Sequence, residues 1–204
     1  MFRTALMAVA LAASCIGGAF AQTKDDQLKT AIFAAGCFWC VEEAFDKVAG
    51  VVETTSGYTG GVVPNPTYEQ VSAGNTGHAE ALRVKYDPAR VTYAQLLETY
   101  WHNVDPFDAG GQFCDRGSSY RSAIFVMTDE EERLAKDSKE QVAKQFGQPV
   151  ATQIVRATPF YPAEGYHQDY HTKNPLKYGF YKWNCGRAQR LEQIWGKKQA
   201  DLAR

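Results

Sequence analysis

The chain has 204 residues, 45% hydrophobic, 22% charged and 13% aromatic, with 22 Lys and Arg against 23 Asp and Glu for a formal charge of −1. That composition excludes a disordered or collagen-like chain and suits a soluble protein with one compact domain. Near-zero charge removes any broad attraction to nucleic acid or anionic lipid, so neither is an expected partner.

Residues 1–21 combine Arg3, an apolar run at 5–16, a break at Gly17-Gly18 and a small-x-small site at Ala19-Phe20-Ala21. This is the pattern of a cleaved secretory signal, and the run falls short of the ~20 residues of a membrane span. The expectation is an exported, slightly acidic chain of residues 22–204. It should be a single catalytic domain, periplasmic and monomeric, with no stable membrane insertion. A lipoprotein signal ending at Cys15 is the competing reading, weakened by Ala12 where such sites usually carry Leu.

The apolar stretch 30–35 is stopped by Gly36 and reads as a buried strand. Phe38, Val41, Phe45 and Val48 then recur at three- and four-residue spacing, so 37–48 reads as an amphipathic helix with Cys37 at the strand-to-helix junction. A second strand at 51–58 runs into Gly60-Gly61 and Pro64-Asn65-Pro66, which predict loop to about residue 78. Alternation predicts a strand at 79–86, closed by Asp87-Pro88, and Leu96, Leu97, Tyr100 and Trp101 predict a helix over 92–102. Residues 103–117 read as loop by their Gly, Pro and Asp content. A strand at 122–127 follows, then a Thr128 and Glu131 capping signature for a helix running to Phe146 and ending at Gly147. A strand at 150–158, a helical turn at 164–171 and a helix at 187–195 complete the chain. The leading order β-α-β-β-α-β predicts an α+β two-layer sandwich on a split-βαβ, ferredoxin-like core, with appended helices and long loops.

Cleavage of the signal would leave four cysteines, Cys37, Cys40, Cys114 and Cys185. Two structural disulfides are the plain reading for an exported protein. The C-x-x-C spacing of Cys37 and Cys40 argues instead for redox exchange or metal capture. A thiol at a helix N-terminus faces unpaired N–H groups that favour its anion, which makes Cys37 a candidate nucleophile.

Gly36-Cys37-Phe38-Trp39-Cys40 resembles the active-site motif of the peptide methionine sulfoxide reductase A family. Further stretches resemble that family in order: Ser56-Gly57-Tyr58-Thr59-Gly60-Gly61, Pro66-Thr67-Tyr68, Thr76-Gly77-His78-Ala79-Glu80, Asp115-Arg116-Gly117 with Ser119-Tyr120-Arg121-Ser122, and Tyr166-His167-Gln168 with Tyr170. Together they span about residues 31–175, and the family's split-βαβ core agrees with the element order.

The resemblance implies a Cys37 thiolate that attacks the sulfur of a methionine S-sulfoxide, free or in a protein. Glu80 matches the proton donor, which needs burial to raise its pKa from ~4.3 toward ~6–7. Tyr68 and Tyr120 match hydroxyls that hold the sulfoxide oxygen, and Asp115 a carboxylate that organises the polar site. Phe38 and Trp39 match the apolar walls that receive the methyl group. The sulfenic acid left on Cys37 condenses with a second thiol, and a thioredoxin-like partner restores the pair, with no cofactor or metal required. Many members carry Gly at the position of Cys40 and recycle through a cysteine in a Gly-rich C-terminal tail. Cys40 departs from that pattern and can meet disulfide geometry one helical turn from Cys37; it is the favoured resolving thiol. Cys185, in Asn184-Cys185-Gly186, is its alternative, and Cys114 reads as a thiol that lines the site.

Two other classes compete. A thioredoxin-like disulfide oxidoreductase would use the C-x-x-C, with Ala157-Thr158-Pro159 as a cis-proline opposite it. A metal-binding module would use Cys37, Cys40, His167 and His171.

Overall fold

The computed structural model describes residues 27–196; the signal reading at 1–21 and the Cys15 reading lie outside them. The core elements follow the expected order: β1 (Lys29–Ala35), α1 (Phe38–Asp46), β2 (Val51–Thr59), α2 (Tyr68–Ser72), β3 (Ala79–Tyr86), α3 (Tyr93–His102), β4 (Gly111–Gln112), β5 (Asp115–Arg116), β6 (Ser122–Val126) and α4 (Asp129–Phe146). After α4 come β7 (Gln153–Arg156), β8 (Tyr161–Pro162), α5 (Tyr170–Lys173), α6 (Pro175–Asn184) and α7 (Arg187–Trp195).

One sheet runs in the order β7-β6-β1-β3-β2-β8. Its centre, β6-β1-β3-β2, is antiparallel throughout, with Phe33 opposite Leu82 and Ile32 opposite Phe125. That is the expected split-βαβ sandwich, with α1 and α3 as the two crossovers. The return through α4 makes β7 parallel to β6, as a crossover connection requires.

Alternate residues of β1 serve two cores, as the period of a strand dictates. Phe33 packs under the helices against Phe45 and Tyr100, at ring separations of 5.0 and 5.4 Å, in a cluster with Leu82, Leu96 and Ile124. Ile32 and Ala34 face the other way, toward Ala81, Phe125 and Phe160. Among the described residues no helix is long and apolar enough to cross a membrane.

The boundary corrections have local causes. Cys37 is the cap of α1 and not its first turn. At α4 the Thr128 hydroxyl accepts from Glu131 N–H at 3.1 Å as anticipated, but the Glu131 carboxylate reaches Met127 N–H at 2.7 Å, one residue further back. The predicted loop to residue 78 contains α2, capped at both ends of a Thr67/Gln70 box, and 103–117 contains the β4–β5 hairpin. The expected strand 150–158 is cut to β7, because Thr158 turns to the end of β2, where its hydroxyl accepts from Gly60 N–H at 2.9 Å. The tail departs most: instead of one helical turn at 164–171 it holds the short α5 and the ten-residue α6.

Candidate active site

The strand-to-helix corner depends on Gly36. Its φ is +81°, and an added Cβ would lie 2.5 Å from the Gln112 Cβ, so any side chain there is both strained and blocked. Gln112 cannot give way easily: it is buried, and its amide exchanges hydrogen bonds of 2.8 and 2.9 Å with the Asp105 backbone. The corner therefore delivers Cys37 to the head of α1 at a fixed place beside the β4–β5 hairpin.

Glu80 reaches the same spot from β3, where it pairs with Tyr58 of β2. Its carboxylate accepts the Phe38 N–H at 3.0 Å and is 3% exposed. Burial lifts its pKa to about 8, against the lowering influence of the Phe38 N–H and a Tyr120 hydrogen bond, with nearby Asp115 adding to the rise. Glu80 is thus largely protonated at neutral pH.

The two thiols are 6% and 4% exposed, both free, and in hydrogen-bond contact with each other. Their titration belongs to the pair. Burial, Cys40 and Glu80 hold Cys37 well above the ordinary thiol range. The hydrogen bond from Cys37 brings Cys40 down to about 7 against burial, with help from Arg187, Tyr178 and Lys182. One proton thus leaves near neutrality and the other is shared between the sulfurs. Of the helix N–H groups expected to favour the Cys37 anion, that of Phe38 is given to Glu80 and that of Cys40 to the Cys37 carbonyl.

Tyr68 is fixed at the start of α2 by its N–H, which donates to Glu164 at 2.9 Å; the Tyr58 hydroxyl takes the other oxygen of Glu164 at 2.8 Å. The Tyr68 and Tyr120 hydroxyls are in hydrogen-bond contact, and Tyr120 also reaches Glu80. Trp39 is held on three sides. Its indole N–H donates to His167 Nδ1 at 3.1 Å, its face stacks on Tyr170 at 3.7 Å and Tyr181 meets it edge-on at 5.8 Å. Gln168 ties this segment down by closing both backbone bonds of Ser56 at 2.9 Å.

Cys37, Phe38, Trp39, Tyr68, Glu80, Asp115, Tyr120 and Tyr181 line one pocket of about 50 Å³. Seven of these eight are the residues singled out from the sequence; Tyr181 was missed. Its hydroxyl donates to Asp115 at 2.5 Å and contacts the Cys37 sulfur. Tyr178, also missed, contacts Cys40 and donates to Glu43 at 2.6 Å. The signal was present: Tyr178, Tyr181 and Cys185 stand three, then four residues apart on what proves to be one face of α6. Burial raises the Asp115 pKa, opposed by Tyr181 and by the positive charge of Arg187. That guanidinium is itself buried, donating to the carbonyls of Ala35 and Asn103 at 3.4 and 2.5 Å.

Cys185 caps α6 and is joined to Cys114, with 4.9 Å between the Cα atoms. Cys114 is therefore more than a thiol lining the site, and Cys185 is not a free resolving thiol in this state. Sequence spacing gives no hint of the pairing because 71 residues separate the two.

The competing constellations do not assemble. The Thr158–Pro159 peptide bond is trans, and Thr158 is engaged with the end of β2. Of the proposed metal ligands, His167 already accepts the Trp39 N–H, while His171 turns to Asp46 at 3.4 Å and Glu42 at 3.9 Å.

The site combines a buried dithiol, a protonated carboxyl, two hydroxyls and aromatic walls, which suits a two-electron exchange at a small polar group carried on an apolar stem. Comparison with known proteins agrees. The family model described as "Peptide methionine sulfoxide reductase" matches residues 29–199. The chain is 51% identical over 168 residues to "Peptide methionine sulfoxide reductase MsrA" of Ligilactobacillus salivarius, covering 81% of this chain and 97% of that one. It is 49% identical over 175 residues to the protein of the same name from Bacillus licheniformis, covering 85% and 97%. The reduced form of Mxr1 from Saccharomyces cerevisiae superimposes with a TM-score of 0.70 at 33% identity, over 74% of this chain and 87% of that one. With its matched region spanning all seven predicted pocket residues, the chain belongs to the peptide methionine sulfoxide reductase family.

Proposed function

We propose that this protein reduces methionine S-sulfoxide, protein-bound or free, to methionine, drawing electrons through its thiols from a thioredoxin-like donor. The observation that carries this reading is the meeting of the Cys37 sulfur, the neutral Glu80 carboxyl and the Tyr68 and Tyr120 hydroxyls in one pocket walled by Phe38 and Trp39.

The walls take the methyl group, and the two hydroxyls with Glu80 take the oxygen. Cys37, its proton passed to the Cys40 thiolate, attacks the sulfoxide sulfur while Glu80 protonates the oxygen; the hydroxyl then moves to the Cys37 sulfur as the new sulfur–sulfur bond breaks and leaves its electron pair on the methionine sulfur. The products are methionine and a sulfenic acid on Cys37. Cys40, in contact with that sulfur, displaces water to form the Cys37–Cys40 disulfide before further oxidation occurs. Asp115 acts on this chemistry through Tyr181, whose hydroxyl it holds. Aromatic walls suit a methyl beside a polar group, since they bury the first without competing for the second.

Residues 1–21 read as the export signal, leaving 22–204 as a monomeric enzyme in the periplasm. An intact mass beginning at Gln22 is expected from protein made with its own leader, and retention of 1–21 would overturn the export reading.

The reaction is tested with each separated epimer of a methionine sulfoxide peptide, the 22–204 protein and dithiothreitol. Consumption of the S epimer with the R epimer untouched is expected. Folded, thiol-reduced protein that converts neither epimer would sink the reading.

A further inference from the structure

We infer that Tyr178 carries the proton of the Cys40 thiol out to Glu43, which passes it to solvent. The inference rests on the sulfoxide-reductase reading and supplies a step that the reading needs. Once reduced, Cys37 and Cys40 each hold a proton, and one must leave before Cys37 can pass its own to a Cys40 thiolate. Cys40 is 4% exposed, so its proton needs a route to water through the protein.

The ionisable groups that act on Cys40 are Cys37, Glu80, Tyr178, Tyr181, Lys182 and Arg187. Cys37, Glu80 and Arg187 are themselves buried, and Lys182 is an ammonium with no lone pair to receive a proton. The two phenols remain, and each leads to a carboxylate. Tyr181 donates to Asp115, but both line the pocket that the sulfoxide is to fill. Tyr178 donates to Glu43 Oε2 at 2.6 Å, and neither of these lines the pocket, so their route stays open with substrate bound. Glu43 stands on α1 three residues beyond Cys40. Its side chain is 17% exposed and meets Lys47, 45% exposed, at 3.1 Å, which brings the route to the surface.

Tyr178 has one hydroxyl proton and two neighbours, the Cys40 sulfur and Glu43. Burial, the Cys40 charge and Glu43 hold it well above the ordinary phenol range, so it does not ionise alone. The Cys40 S–H bond breaks and leaves its electron pair on sulfur, the proton binds the Tyr178 oxygen, and the old hydroxyl proton moves to Glu43 in the same step. Glu43 then gives that proton to water. The net change is thiol and water to thiolate and hydronium, and the new hydroxyl proton now points at the sulfur and stabilises its charge. Against burial, Lys182 and Tyr178 hold Glu43 down to about 2, so it hands the proton on instead of storing it. Lys182, with Nζ at 2.5 Å from the same carboxylate oxygen and 5.9 Å over the Tyr178 ring, positions the acceptor and adds its charge in favour of the thiolate.

The test is a pH jump without substrate. Reduced 22–204 protein is taken rapidly from pH 5.5 to pH 9, and thiolate formation is followed by its ultraviolet absorbance, with the Cys40→Ser trace subtracted. Tyr178→Phe and Glu43→Gln should each form thiolate about tenfold or more slower than wild type. Equilibrium titration by the same absorbance separates a route from a mere field. Tyr178→Phe loses the donor to the thiolate and should titrate above wild type. Glu43→Gln loses a negative charge and frees Lys182, so it should titrate at or below wild type and still be slow. Either variant forming thiolate at the wild-type rate would overturn the route. So would a slow Glu43→Gln whose titration is raised, because electrostatics alone would then account for the rate. Glu43→Gln keeps an acceptor for Tyr178 near the surface and decides the matter even if Tyr178→Phe does not fold. The methionine that wild type yields from the S-sulfoxide tests the reductase reading separately, since the jump contains no sulfoxide.

Discussion

Replacing Cys37 with serine is expected to abolish sulfoxide reduction, a loss of more than about 10⁴-fold in kcat/KM. A serine hydroxyl is not ionised at neutral pH. More decisively, the oxygen accepted from the sulfoxide would have to form an O–O bond on serine, whereas on sulfur it forms a stable S–O bond. The cavity itself should survive, since sulfur and oxygen differ little in size and Cys37 caps α1 without a side-chain hydrogen bond. The control is Cys40→Ser, which should still yield its first methionine and then stall with a protein reductant. Retained turnover in Cys37→Ser would refute the nucleophile, and full recycling in Cys40→Ser would give the resolving role to Cys185.

Glu80→Gln is expected to lower kcat/KM by about 10²–10⁴-fold, the usual worth of a positioned proton donor. Glutamine can still accept the Phe38 N–H at 3.0 Å, so the head of α1 is preserved while the transferable proton is lost. The pH profile is the sharper readout. Wild-type activity should rise as the thiol pair loses its first proton at about 7 and fall as Glu80 ionises at about 8. The variant should keep the first limb and lack the second. Stability carries the matching sign: a carboxyl whose folded pKa is raised from 4.5 to about 8 favours the folded state fully below 4.5 and loses that contribution as pH rises through about 8. The difference in melting temperature between wild type and Glu80→Gln should therefore shift in favour of the variant from pH 5 to pH 9. A basic limb that persists in the variant would move the proton donor elsewhere.

The core was legible because its sequence changes period cleanly at each junction. The three-and-four spacing of Phe38, Val41 and Phe45 begins where the run 30–35 stops, and the alternation at 79–86 fixes β3 to the residue. The pocket was legible for a related reason: its seven predicted residues sit at the head of α1, at the starts of α2, β3 and β5 and just before β6, so each lies in a short recognisable segment. α6 was hidden because its periodicity misleads. Leu176, Phe180 and Trp183 are large apolar residues left exposed on it while Tyr178 is its buried one, the reverse of an ordinary amphipathic face, and Gly179 interrupts it. The anion expected on Cys37 from helix position alone was displaced by a fact of sheet register, since the antiparallel pairing of β1 with β3, Phe33 opposite Leu82, carries Glu80 to the corner after β1 and so to the Phe38 N–H.

The pocket of about 50 Å³ is of a size for the tip of a side chain. An enzyme built this way reads reach in place of sequence. It has little means to prefer one neighbour of the damaged residue over another, and much to demand that the residue stand clear of its own protein. Repair would then sort oxidised proteins by how far their methionines protrude, favouring loosened chains over intact ones, with the small size of the pocket acting as the quality filter.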